Sequence, residues 1–287
     1  MRAKAWVLTL VATSAAVSAC TGGHGDDPPG PDHPRGGSLL MTRAAVAGFD
    51  PAESLSGIGA FFGPPGPATT AWPGDGDCEW TAPAPEETAS PEPTPTPVVD
   101  WMDAGGALTL RSNENALVLD RFEGPAGEIL YLTRADALPE TFPTDAAYDL
   151  EIAGSDASNG IGATILPGAL DAPAPLGIYA PDFASGAGPV PLTPRAALQL
   201  GWVPGDPADP PVLMRMTISG SSGSATLTCA TGDDGFHEIP AASINQFPSG
   251  GGTLTLSRRA IHETKLAGDT WLDAETLLTE GGSVLLP

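Results

Sequence analysis

At residues 148–152 the chain reads YDLEI, with Tyr148, Leu150 and Ile152 separated by two carboxylates. A period of two places the three apolar side chains on one face and Asp149 and Glu151 on the other, the pattern of a strand with one buried and one wet face. Short runs of the same kind recur at 107–111, 117–121 and 129–133, and again at 197–203, 212–219, 224–230, 253–257 and 283–286. The 36 glycines and 32 prolines punctuate the chain every few residues, and no window sustains a 3.6-residue period. Many short strands with Gly, Pro and Asp between them predict an all-β protein built as an antiparallel β-sandwich, rather than alternating α/β units.

The N-terminus carries Arg2 and Lys4 and then a small apolar run, Ala5 to Val17. It is shorter than the roughly 20 residues a membrane-spanning helix needs, and it fits a secretory signal ending in small residues. Val17-Ser18-Ala19-Cys20 resembles the lipobox of bacterial lipoproteins, in which the cysteine is acylated and becomes the first mature residue. That resemblance implies a lipoprotein signal peptide over 1–19 and lipidation at Cys20. It also implies an exported protein held at the cell envelope and, with Thr21 following, the outer membrane. Simple secretion is the alternative. Residues 20–38, CTGGHGDDPPGPDHPRGGS, offer almost nothing to bury and predict a flexible Gly/Pro/Asp-rich tether that is disordered.

Twelve Lys and Arg stand against 35 Asp and Glu, a formal net charge of −23, which loss of Arg2 and Lys4 with the signal takes to −25. Phosphate backbones bind through Lys and Arg, so nucleic acid is excluded as a partner and the membrane is reached only through the lipid anchor. With Cys20 lipidated, Cys78 and Cys229 remain, and an oxidising compartment favours a disulfide between them. It would close a loop of roughly 150 residues, worth at most about 5 kcal/mol in the chain-entropy model. A catalytic thiol would need an electropositive setting that this acidic chain hardly supplies.

Two β domains are expected: 39–170, containing a Pro-rich loop at 82–97, and an immunoglobulin-like sandwich at 171–287. The break falls in GALDAPAP (168–175). A single larger sandwich is the alternative, because Cys78 and Cys229 lie on opposite sides of that break. In the second half, Leu198-Gln199-Leu200-Gly201-Trp202 precedes a strand over Met214–Ile218. Leu227-Thr228-Cys229, Asp233-Asp234-Gly235, Ile239-Pro240-Ala241-Ala242 and a strand leading to Arg258-Arg259 follow. With the Asp103-Ala104-Gly105 segment ahead of the strand at 107, this order resembles the β-sandwich lipoproteins of myxobacteria and related bacteria. The resemblance covers roughly residues 100–266. It implies an envelope location and carries over no active-site residue.

Catalytic patterns are sparse. The nearest run to a G-x-S-x-G elbow, SGSSGS at 219–224, has the wrong spacing and reads as a hairpin loop. His262-Glu263 lacks the second histidine of H-E-x-x-H. A Ser-His-Asp triad assembled in space is the one enzymatic route left open, so a hydrolase is the second alternative. Calcium is the candidate cofactor. Asp75, Asp77 and Glu79 offer carboxylates at alternate positions with Glu86 twelfth, although Trp80 occupies the place where such a loop needs glycine. Asp233 and Asp234 could add to a loop site. Trp72, Trp80 and Trp101 flank the Pro-rich loop and are candidate ligand-binding platforms, with ring burial as the competing use. Trp202, at strand spacing with Leu198 and Leu200, reads as core. The densest stretch, DDGFHE at 233–238, reads as a turn and a return strand on which His237 and Glu238 face opposite ways. Pro240 then opens a short helical turn with Ile244 and Phe247 on one face.

The chain is therefore expected to be a lipid-anchored cell-envelope protein with a structural, adhesive or ligand-binding role, and not an enzyme. A calcium-assisted carbohydrate- or peptide-binding module is the first alternative, with a glycan or an envelope protein as partner.

Overall fold

The computed structural model describes residues 35–49, 52–63, 73–74, 76–81, 99–113, 115–184, 188–206, 209–266 and 270–287. Cys20 with the expected signal, the expected tether through residue 34, Trp72, Asp75 and the Pro-rich stretch 82–97 lie outside these residues.

The chain is all-β. The first half supplies β1 (Arg35–Ala47), β2 (Glu53–Phe62), β3 (Cys78–Thr81), β4 (Trp101–Met102), β5 (Ala107–Ser112), β6 (Asn115–Glu123), β7 (Ile129–Thr133), β8 (Ala146–Ile152) and β9 (Thr164–Ala172). The second supplies β10 (Val190–Pro191), β11 (Leu198–Gly201), β12 (Val212–Gly220), β13 (Gly223–Thr231) and β14 (Phe236–Ile239). One turn of helix, α1 (Ala241–Ile244), then leads to the long strands β15 (Gly250–Lys265) and β16 (Thr270–Leu286). Strands β11 and β14 pair by themselves. The rest form one sheet in the order β3-β13-β12-β15-β16-β1-β2-β7-β6-β5-β8-β9, with β10 beside β16 and β4 beside β2.

Alternation explains the strands that the sequence announces. In β8, Tyr148, Leu150 and Ile152 are at most 1% exposed, while Asp149 and Glu151 turn away from the core. Two cores result. The first gathers Leu39, Phe61, Leu108, Tyr131 and Leu150, and the second Trp202, Met214, Met216 and Leu227. The β15–β16 hairpin belongs to both. Leu266, Leu272 and Ala274 near its tip enter the first core, and Leu254, Leu256, Val284 and Leu286 near its base enter the second. Strand β9 packs back on β15 and β16, which curls the first half around its core and covers an otherwise open edge.

Two features differ from the antiparallel sandwich expected. Strand β16 is flanked by β15 in the antiparallel sense, but β1 and β10 join it in parallel. Residues 35–38, assigned to the tether, belong to β1. Gly36 and Gly37 lack side chains because the rings of Phe62 and Phe61 occupy the space a Cβ would need, so these glycines serve close packing rather than flexibility.

The Asp103-Ala104-Gly105 segment also has a packing reason. The Asp103 carboxylate accepts the Gly105 N–H at 2.9 Å and the Arg121 Nε–H at 3.3 Å. The Tyr131 hydroxyl accepts the buried Ala104 N–H at 2.7 Å. Gly105 has a φ of +96°, and a Cβ there would strike the Gly154 backbone, so only glycine fits.

Candidate functional site: a buried ion pair and an acidic cleft

The DDG corner between β13 and β14 directs its two aspartates in opposite directions. Asp234 is exposed, and its carboxylate accepts the Phe236 N–H at 3.0 Å, closing the turn. Asp233 points inward. Its Oδ2 accepts the Arg258 Nε–H at 2.6 Å, and its Oδ1 accepts from Arg258 Nη2 at 2.9 Å and from Trp202 Nε1 at 2.7 Å. The Arg258 and Asp233 side chains are 3% and 0% exposed. Burial alone would raise the Asp233 pKa. The hydrogen bonds from Arg258 and Trp202 outweigh it and hold the carboxyl below its ordinary value. The reading of Asp233 as half of a calcium loop is thereby corrected, because both of its oxygens are engaged internally.

Arg258 has a second task. Its Nη1 donates to the carbonyls of Ala174 and Pro175 at 3.0 and 2.9 Å, and its Nη2 to that of Val203 at 2.7 Å. Glu280, across the same hairpin, accepts the N–H groups of Leu176 and Gly177 at 2.8 and 3.0 Å. The segment linking the halves is thus held by its carbonyls from β15 and by its amides from β16. Composition in GALDAPAP suggested a soft boundary; the hairpin fastens its last two residues and the two that follow.

Beside this pair lies an open cleft of about 450 Å³ between the β8–β9 ends and β15. Asp145, Asp171, Asp206 and Asp209 line it, together with Arg258, Arg259 and His262. Arg259 Nη1 sits 3.7 Å from Glu275 Oε1, with both side chains largely buried. Both arginines are therefore matched by acids inside the protein. Across the mouth, His262 Nε2 lies 2.8 Å from Asp171 Oδ2, joining β15 to β9. Among the described residues, no serine, threonine or cysteine lines the cleft, so this His–Asp pair has no hydroxyl or thiol to activate there.

The remaining sequence candidates are dispersed. Cys78 and Cys229 form the disulfide, directly opposed across β3 and β13. Asp77 and Glu79 are exposed beside it. Trp80 lies against Phe247, ring centroids 4.6 Å apart, and packs on the second core. Trp101 packs half-buried on the first, and Trp202 is fully buried. Neither Trp80 nor Trp101 is a free platform. His237 faces inward on β14, where burial lowers its pKa against the opposing pull of Asp234. Among the described residues, no three carboxylates converge within 4.8 Å, and no helix is long and apolar enough to cross a membrane.

The chain matches no protein-family model and no curated protein. The site must be read from its own chemistry. Arg258 was accessible to sequence reasoning, since Leu254, Leu256 and Arg258 share one face of a strand and a charge continuing a buried face requires a partner. Asp145, Asp171 and His262 carried no such signal, because only the curling of the sheet brings them together.

Proposed function

We propose that the chain is an exported, lipid-anchored cell-envelope protein that binds a cationic ligand in the acidic cleft and carries out no catalysis. The charge balance of the cleft carries this reading. Its arginines are matched by Asp233 and Glu275, so the aspartates lining it set a negative field, reinforced by the net charge of −23. A half-open space of about 450 Å³ between the β8–β9 ends and β15 is of ligand-site size. The His262–Asp171 pair, without an adjacent nucleophile, positions rather than reacts.

Calorimetric titration with a short lysine/arginine peptide tests the reading. The expected result is binding at low salt that weakens as salt rises, and that weakens about tenfold, or about 1.4 kcal/mol, in the double variant Asp145→Asn/Asp209→Asn. Affinity unchanged by both substitutions would refute it. Calcium in place of the peptide separates the alternative module: a calcium-specific thermal shift would favour that reading. Mass spectrometry of the mature N-terminus tests the anchor; an unacylated Cys20 would remove it.

A further inference from the structure

We propose that Cys78, Cys229 and His237 form a thiol-gated zinc site, closed while the disulfide is intact and opened by its reduction. Pairing of β3 with β13 sets Cys78 directly opposite Cys229, and directly opposed side chains share a face. After the 232–235 corner, β14 returns with His237 opposite the fully buried Leu200 of β11, so the imidazole points to the side on which Cys229 lies. A ring nitrogen of His237 and the two sulfurs all lie within 4.8 Å of one another, the one such grouping of three ligand atoms among the described residues. Cys78 is exposed and Cys229 buried, so a reductant approaches the bridge from one side while the second sulfur and the imidazole remain held by the core.

The chemistry balances with a dithiol as reductant. The Cys78–Cys229 bond breaks, the dithiol closes its own S–S bond, and two electrons and two protons pass to the two cysteines. A zinc ion then displaces both thiol protons into water. Two thiolates and one neutral imidazole leave the site uncharged, and a water takes the fourth tetrahedral position. Zinc–sulfur and zinc–nitrogen bonds of about 2.3 and 2.0 Å place ligand atoms about 3.5–3.8 Å apart, a spacing that opposed strand residues reach by side-chain rotation alone. Thiolates select zinc over calcium or magnesium, and the acidic surface favours arrival of any cation.

The test uses the purified protein, oxidised or reduced with a phosphine, with cobalt(II) as the spectroscopic stand-in for zinc. After reduction, one cobalt per chain should bind with thiolate-to-cobalt charge-transfer absorption, and one equivalent of zinc should displace it; the oxidised protein should show neither. His237→Ala should weaken zinc binding at least tenfold, and Cys78→Ser should abolish the charge-transfer band. Far-ultraviolet circular dichroism follows the fold throughout. Absence of the band in reduced protein that keeps its strand signal, loss of that signal on reduction, equal binding before and after reduction, or zinc affinity unchanged in His237→Ala would each overturn the proposal.

Discussion

Asp233→Asn removes one charge from an ion pair whose side chains are 3% and 0% exposed, while nearly preserving side-chain size. The Arg258 guanidinium, 3% exposed, then loses its carboxylate. Removing one member of a buried pair costs about 3–5 kcal/mol, because the other charge stays inside without compensation. Arg258 keeps the carbonyls of Ala174, Pro175 and Val203, and the asparagine oxygen still accepts one bond. The expected loss therefore lies at the lower end, about 3 kcal/mol. For a chain of this length about 2–4 °C accompany each kcal/mol, so the melting temperature should fall by roughly 6–12 °C. Urea denaturation at pH 7 gives the free energy directly. Arg258→Met combined with Asp233→Asn should recover part of the loss, since no unpaired ion remains buried. The pH dependence has a defined sign. The Asp233 carboxyl is held below its ordinary value of 3.8 in the folded state, so its contribution is complete above that value and disappears as the pH falls through the folded pKa. The gap between wild type and Asp233→Asn should be constant near neutrality and close in acid. A loss below about 1 kcal/mol at pH 7, within the net worth of one ordinary hydrogen bond, would refute the reasoning, because it would mean that the three carbonyls suffice for Arg258.

Tyr131→Phe leaves the buried Ala104 N–H without its acceptor and should cost about 1–3 kcal/mol in denaturant unfolding. Burial, with the Asp103 charge added, pushes the Tyr131 hydroxyl up to about 12, despite the lowering hydrogen bond from Ala104. The stability it contributes is present below the ordinary value of 10 and is lost as the pH rises through about 12, which ultraviolet titration of wild type against Tyr131→Phe will show. The His262 and Asp171 side chains are 33% and 48% exposed, so a double-mutant cycle should return a salt-sensitive coupling of at most about 1 kcal/mol. Gly252→Ala would drive its Cβ into the Thr217 carbonyl oxygen of the neighbouring strand. It should destabilise by about 1–3 kcal/mol, measured by the same urea titration.

How far the sequence could be read depended on what each strand carries on its inner face. Strands β5, β7 and β8 place leucine, isoleucine and tyrosine inward and are legible by alternation. In β2, the inward positions after Leu55 are Gly57 and Gly59, filled from outside by Met41 and Leu108, so a well-buried strand presents no apolar period. In β9, Pro167 and Gly168 interrupt the pattern next to the irregular register against β8. Only 253–257 of β15 and 283–286 of β16 were apparent, because the strands also carry Arg258, Arg259 and Glu275, whose burial depends on partners outside their own strand. The corner at 232–235 was identified as a turn from Asp and Gly alone. That Asp233 would turn inward required Arg258 and Trp202, and no local pattern supplies them.

The parallel pairing of β1 with β16 has a consequence for the order of events in biosynthesis. As the ribosome works along the chain, β1 and its antiparallel neighbour β2 emerge early, but the parallel partner of β1 is made only when synthesis has passed residue 270. Until the β15–β16 hairpin exists, Leu272 and Ala274 cannot close one core, nor Val284 and Leu286 the other. Contacts so distant along the chain are slow to form. A nascent chain stopped at residue 269 should therefore remain open to protease in both halves. The architecture thus leaves both cores without a closing strand until residues 270–286 have been made.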